Sequence, residues 1–356
     1  MICRLSILRS HVVPAQPQPA TGGAPSSPTS TQAGQFRCDG GLLPHVLDEF
    51  EREGYVTLHN VISSAELAEL RAEVQRILIR APVSKGLAVD SEGRPTLTSP
   101  STFQFAPASR ATMDRQHELE LRKAEPQPGQ VEYPVKISSW LEFSVPGLRL
   151  YGHPKLLSAA ASVNGPSFTP FSESLVIKHA GHGAALAWHQ DGGTHWDDGP
   201  QLAEHGFNYM CNMWNCTAEN ALWVVPRSHR LGRVNIPEAL SDGCRLPNAV
   251  PLLCRAGDVA MVSTATPYVL LVTPGNTAYS TLGFIHLQFE RPQVNRNAVH
   301  GSFANSSEHA RHTWIFGFHK RSAVDGIYPP EAIELRRRLI PLASDCRAQV
   351  CKQPQW

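Results

Sequence analysis

From about residue 131 onward the chain runs as short β-prone stretches punctuated by Gly, Pro and Asn, with no long helical stretch between them. The clearest are Ser174 to Lys178, Tyr209 to Trp214, Leu222 to Val225, Asp258 to Val262 and Thr313 to Phe318. Strands that succeed one another without intervening helices cannot be joined by βαβ crossovers. They predict a mainly β fold, a sandwich or jelly roll.

Helices are expected at the two ends of this β region. Leu43, Val46, Leu47 and Phe50 recur at helical spacing, Gly54 breaks the pattern, and Tyr55 to Leu58 reads as a strand. Ser63 or Ser64 offers an N-cap for a second helix whose Leu67, Leu70, Val74, Ile77 and Leu78 make one apolar stripe. Pro330 to Leu342 reads as a last helix, followed by a polar tail over 346–356. Residues 81–130 are polar and Pro-rich, and are expected to form a long loop able to cover an active site. A 356-residue chain could hold two domains, but one barrel with extensions reaches roughly 200 to 250 residues. We expect a single domain over 41–345.

The first 38 residues contain no Asp or Glu, carry Arg4, Arg9 and Arg37, and from Pro14 to Gln35 consist mostly of Pro, Ala, Ser, Thr, Gly and Gln. Such a stretch buries too little apolar surface to fold, so residues 1–40 are expected to be disordered. Met1 to Val13 is basic, partly apolar and free of acid, which also fits an organelle-targeting segment. A cytoplasmic location is the expectation for a plain tail, and a mitochondrial one for a targeting segment.

Lys and Arg total 32 against 31 Asp and Glu, and no basic block suits a nucleic-acid backbone. No apolar run approaches the roughly 20 residues that span a bilayer. The expected partner is a small molecule, and the sequence leaves the oligomeric state open. The eight cysteines include no Cys-x-x-Cys pair and are read as reduced thiols.

The sharpest local feature is Ala187-Trp188-His189-Gln190-Asp191-Gly192-Gly193. Alternate residues of a strand share a face, so His189 and Asp191 can reach one ion while Gln190 points away. An imidazole and a carboxylate, joined by a second histidine from another strand, make the facial triad that suits Fe(II) and leaves positions open.

Several segments together resemble the phytanoyl-CoA dioxygenase family, within the Fe(II)- and 2-oxoglutarate-dependent dioxygenases. Glu51-Arg52-Glu53-Gly54-Tyr55-Val56-Thr57-Leu58-His59-Asn60-Val61-Ile62, with the helix after it, is similar to the family's opening. Asn220-Ala221-Leu222-Trp223-Val224-Val225-Pro226-Arg227-Ser228-His229-Arg230 resembles its stretch ending in Pro-Gly-Ser-His, with Arg227 in place of glycine. The resemblance covers about residues 45 to 345. It implies a double-stranded β-helix, and a structural rather than ligating role for His229.

In that family a Gly-Asp turn opens a strand and the distal histidine follows about ten residues later inside His-Gly-Ser. Gly257-Asp258-Val259-Ala260-Met261 supplies the turn, yet Tyr268 and Tyr279 stand where the histidine and a later arginine are expected. Farther on, Ala298-Val299-His300-Gly301-Ser302-Phe303-Ala304-Asn305-Ser306-Ser307-Glu308-His309-Ala310-Arg311 meets every requirement in order. Removing Val262 to Gln293 joins Met261 to Val294 and restores the spacing. Val262-Ser263 can be encoded GTG-AGT and Gln293 CAG, the edges of an intron. The 262–293 segment therefore reads as a retained intron or a loop insertion, and the distal ligand is placed at His300 rather than at Tyr268 or His286.

The metal ligands, and with them the catalytic residues, are thus His189, Asp191 and His300. The resemblance makes Fe(II), 2-oxoglutarate and O2 the cofactor and cosubstrates, with succinate and CO2 as coproducts. Arg311, eleven residues after His300, is the expected anchor for the distal carboxylate, because a guanidinium fork pairs with a carboxylate through two parallel bonds. Ser302 shares the ligand's face and is expected to bind the cosubstrate, by a hydrogen bond to that carboxylate or to Arg311. Lys136 resembles the family's upstream basic residue that steadies the cosubstrate.

Hydroxylation of an aliphatic carbon in a lipid or secondary metabolite is the default expectation. Related halogenases lack the carboxylate, so Asp191 argues against halogenation. Two other classes stay open: a catalytically silent binding protein, and a metal hydrolase in which His, Asp and His hold zinc with one open position. Trp188, Trp196, Phe207 and Trp214 are candidates for a substrate pocket or for the core.

Overall fold

A computed structural model describes residues 34–351, apart from 108–131, residues 182 and 184, 192–204, residues 232, 233 and 235, 237–245, 266–297 and 322–329. Targeting by Met1 to Val13 lies outside the described residues. Residues 34–40, read from composition as disordered, are anchored instead. Gln35 takes the backbone N–H of His59 at 2.7 Å and gives its amide to Thr57 O at 2.8 Å, and Phe36 bridges to Leu42. Two ends of one amide are satisfied there, which composition alone does not reveal.

Helix α1 (Pro44–Glu53) starts on a proline and stops at Gly54, whose φ of 83° is left-handed. Strand β1 (Tyr55–Leu58) follows, then α2 (Ser64–Ile79). Ser63 and Glu66 form a full capping box at the start of α2, which buries Leu67, Leu70, Val74 and Ile77. The stretch expected to be one long loop contains β2 (Phe103–Pro107), which pairs with β3 (Glu132–Ser138). Two short helices, α3 (Val145–Tyr151) and α4 (Pro154–Asn164), were not anticipated; each has a proline at its first or second position. The expected final helix is two, α5 (Pro330–Arg337) and α6 (Leu339–Cys351), so helix runs on into the stretch read as a tail.

The remaining strands are β4 (Phe168–Lys178), β5 (Leu186–His189), β6 (His205–Asn212), β7 (Trp223–Val224), β8 (Val250–Pro251), β9 (Val259–Ala265), β10 (His300–Ser302) and β11 (Arg311–Lys320). They form two antiparallel sheets. One has the order β1-β9-β6-β11-β4-β3-β2, the other β5-β10-β7-β8. These are the two faces of the expected jelly roll.

Alternation along the strands sets what lies on each side. Phe207, Tyr209 and Cys211 of β6, Trp314, Phe316 and Phe318 of β11, and Leu175 and Ile177 of β4 join the helices in the main core. Their neighbours face the other way: Met210, Ala260 and Val262 meet Leu222, Val224 and Ala298 between the sheets. A third cluster, with Trp188, Trp223, Val299 and Phe303, backs the smaller sheet. Trp188 and Phe207 are therefore core residues, and Trp214 stacks on His312 with the Arg71 guanidinium over its ring. Trp196 lies outside the described residues.

Candidate metal centre

His189 ends β5 and His300 begins β10, and the two are direct partners across that antiparallel pair. Their rings lie 4.2 Å apart between centroids. Asp191, two residues past His189, brings Oδ1 to 3.5 Å from His189 Nε2 and Oδ2 to 3.9 Å from His300 Nε2. One donor atom from each of the three lies within 4.8 Å of the others. The structure thus brings together all three residues expected as ligands, although 110 positions separate the histidines in the chain.

The electrostatics suit a cation. Burial by itself pushes Asp191 up, but the two imidazoles and the charge of Lys136 outweigh it and hold the carboxylate well below its usual range. Burial, and next the charge of His189, lower His300 to about 4, so its imidazole is neutral. With a neutral ring, His300 Nδ1 can donate to Ala298 O at 3.0 Å, which leaves the Nε2 lone pair facing Asp191. Gln190 points the other way, accepting from Val234 N at 2.9 Å, as the strand alternation requires.

The other predicted residues lie on β10, β11 and β3. Ser302 is two residues past His300 on β10 and 1% exposed, and its Oγ has no hydrogen-bond partner among the described residues. Arg311 opens β11, is 5% exposed, forms no ion pair among the described residues, and keeps Nε unpartnered. A buried guanidinium without a carboxylate is costly, and an unsatisfied buried hydroxyl costs about 1–3 kcal/mol. The guanidinium calls for an anion and the hydroxyl for any hydrogen-bond partner, and the distal carboxylate of 2-oxoglutarate would supply both. Lys136 pairs in register with Val176 of β4 and is close enough to Asp191 to shift it.

His229 does not join the triad. Its Nε2 bonds Glu51 O at 2.9 Å, behind Gly54, where any Cβ would strike the ring. Arg227 has φ 65°, which explains the glycine of the family pattern; it is held there by Glu53, through its backbone N–H at 2.8 Å and its guanidinium at 3.0 Å.

Of three further contributors, Ser228 lay in a stretch the sequence singled out, and Asn208 and Lys178 were missed. Ser228 Oγ donates to Val225 O at 2.6 Å and accepts Val299 N at 2.7 Å, fixing the residue before His300. Asn208 donates its amide to Asp191 Oδ2 at 3.0 Å. Lys178, buried on β4, is the direct partner of Arg311. For Asn208 and Lys178 the available signal was the strand alternation, once the pairing of β4, β6 and β11 is known.

The family model for phytanoyl-CoA dioxygenase (PhyH) matches residues 50–267. The chain belongs to the phytanoyl-CoA dioxygenase family. Its members are non-haem iron enzymes that take 2-oxoglutarate and O2 as cosubstrates, and this member carries the donor set for that cofactor. The match ends before His300, so the distal ligand rests on the geometry above. Among solved structures, EctD from S. alaskensis with bound Fe is similar at 17% identity and a TM-score of 0.51, covering 82% of this chain and 81% of that one. EvdMO1 is similar at 18% identity and 0.48, covering 78% of this chain and 50% of its own, so the chain spans half of that protein. AviO1 from Streptomyces viridochromogenes Tue57 matches at 18% and 0.48, over 80% and 96%. No curated protein matches. The EctD likeness supports the fold, and no helix of the described residues is long and apolar enough to cross a membrane.

Proposed function

We propose that this family member hydroxylates an aliphatic carbon of a small organic substrate, a lipid or a secondary metabolite, with release of succinate and CO2. The observation that carries the reading is the convergence of His189, Asp191 and His300 on one point, with Arg311 buried and in no ion pair among the described residues. Bound Fe(II) with 2-oxoglutarate and O2 would supply the oxidising chemistry.

The chain's own residues do the rest. His189, His300 and Asp191 would hold the metal through two nitrogens and one oxygen. Asp191 is held below the usual carboxylate range and His300 below the usual imidazole range, which favours the ionised carboxylate and neutral ring that bind a metal. Arg311 and Ser302 would orient the cosubstrate by its distal carboxylate, with Lys136 adding positive charge near Asp191. Asn208 fixes the carboxylate plane of Asp191. The presence of the Asp191 carboxylate among the three donors supports hydroxylation over halogenation.

The test is product mass. Protein loaded with Fe(II) and given 2-oxoglutarate is incubated with a panel of aliphatic lipids and secondary metabolites while succinate is followed. A product heavier by one oxygen atom, formed with equimolar succinate, is expected. Substrate-dependent succinate with a product that has lost two hydrogens or changed only its stereochemistry would reject hydroxylation.

A further inference from the structure

Two buried thiols stand at the feet of one excursion of the chain. Cys216 follows β6 and Cys254 precedes β9, and the stretch between them carries β7 and β8. Val224 of β7 is the direct partner of His300, so this excursion supports the strand of the distal ligand. Ser228, whose hydroxyl accepts Val299 N, lies in it as well.

The two feet touch. Gly257 N donates to Asn212 O at 3.1 Å, and a little farther along Cys216 N donates to Cys254 O at 2.7 Å. A backbone bond of this kind holds paired α-carbons roughly 5.5 Å apart. That separation lies inside the window of about 4.4–6.8 Å that a disulfide spans. Both side chains enter the same apolar cluster between the sheets, with Leu222, Leu252 and Val262, so they leave the backbone toward one space. Both are free thiols. Cys216 Sγ makes a weak bond to Trp214 O at 3.9 Å, which a turn about one torsion would exchange for sulfur. Burial pushes both thiols up, Cys254 to about 12 with the charge of Cys216 adding to it, so the thiolate fraction at neutral pH is small. Oxidation of the pair is accordingly slow, and answers to sustained exposure.

We propose that Cys216 and Cys254 are a redox pair that a hydroperoxide converts to a disulfide, stapling the two feet of the excursion that supports His300. In that step two S–H bonds break and one S–S bond forms. The two electrons and two protons pass to hydrogen peroxide, whose O–O bond breaks to give two waters. The link restricts the unfolded chain across β7 and β8 and so stabilises the folded form. The proposal does not depend on the oxygenase reading.

Peptide mapping tests it. Reduced protein, loaded with Ni(II) in place of any iron so that the metal does not cycle with peroxide, is treated with hydrogen peroxide until its thiol count is constant. It is then alkylated and digested without reductant. One linked pair of peptides is expected, joined through Cys216 and Cys254, two hydrogens lighter than their sum and released by dithiothreitol. The melting temperature should rise by about 5 °C or more and fall back on reduction. C216S and C254S should each lack both the linked pair and the rise. Wild type in which the two cysteines remain alkylatable, or are found singly as sulfinic acids, overturns the proposal. A linked pair that leaves the melting temperature unchanged overturns the staple. If the serine variants do not fold, the wild-type map decides alone, because it reads the link directly.

Discussion

The side-chain amide of Asn208 donates to Asp191 Oδ2 at 3.0 Å, tying the larger sheet to the loop end of the smaller one. Its partner across β6 and β11 is Gly317, at an irregularity in the pairing between Phe316 and Phe318. A Cβ at Gly317 would overlap the Asn208 side-chain oxygen and come within 2.9 Å of Phe207 O. Glycine is needed there because the amide that orients a metal ligand occupies the space.

That relationship predicts two separable effects. N208A should keep its fold while iron affinity falls about 10- to 100-fold, as for other groups that orient a ligand. G317A should lose roughly 1–3 kcal/mol of stability by overpacking and lose iron affinity as well, since Asn208 must move. Denaturant melts and iron titrations on both variants check this; G317A with wild-type affinity would contradict it.

Stability should fall in acid. Burial lowers His153 and His312 to about 4, helped for His312 by the charges of His179 and Arg311, and for His153 by Arg347. Unfolded, each would titrate near 6.5, so between about 6.5 and 4 the unfolded chain binds more protons than the folded one. Their contribution is fully present above about 6.5 and is lost as pH falls toward 4. The slope is up to about 1.4 kcal/mol per pH unit for each histidine. Thermal melts from pH 7.5 down to 4.5 test this, and H312Q should show a shallower fall than wild type.

The segment from Val262 to Gln293 is proposed to be dispensable. Its first four residues are not loop: β9 runs through Val262, which is fully buried between the sheets, to Ala265. Ser263 N bonds Gly54 O at 2.9 Å, and Ala298 N bonds Ser263 O at 3.3 Å, so the chain returns beside the point where it leaves. Deletion would set Val294 in the place of Val262, with the same side chain, and Asn295 in the place of Ser263, with a polar side chain again at that position. The deletion variant is expected to melt no lower than the full chain and to bind iron equally. An insoluble or iron-free deletion variant, or transcripts that mostly contain the segment, would contradict a retained intron.

The sequence was most legible where local chemistry repeats. The N-cap at Ser63 and the strand alternation at His189 and Asp191 are each readable within a few residues, whereas the return bond from Glu66 and the left-handed backbone at Arg227 came only with the structure. His300 was legible only through spacing to the Gly257-Asp258 turn. Asn208 and Lys178 were not, because their roles come from register between strands more than 100 residues apart, β6 with β11 and β4 with β11. The same holds for β2, whose partner β3 lies beyond a long polar stretch, and for the anchoring of Gln35 on β1.

Metal analysis after anaerobic loading with Fe(II) bears most directly on the centre itself. Wild type, Y268F and H286A should each retain a single tightly bound iron, while H189A and H300A, still folded by circular dichroism, should retain none. An H300A variant that keeps its iron, or an H286A variant that loses it, would contradict the assignment of His300 as the distal ligand.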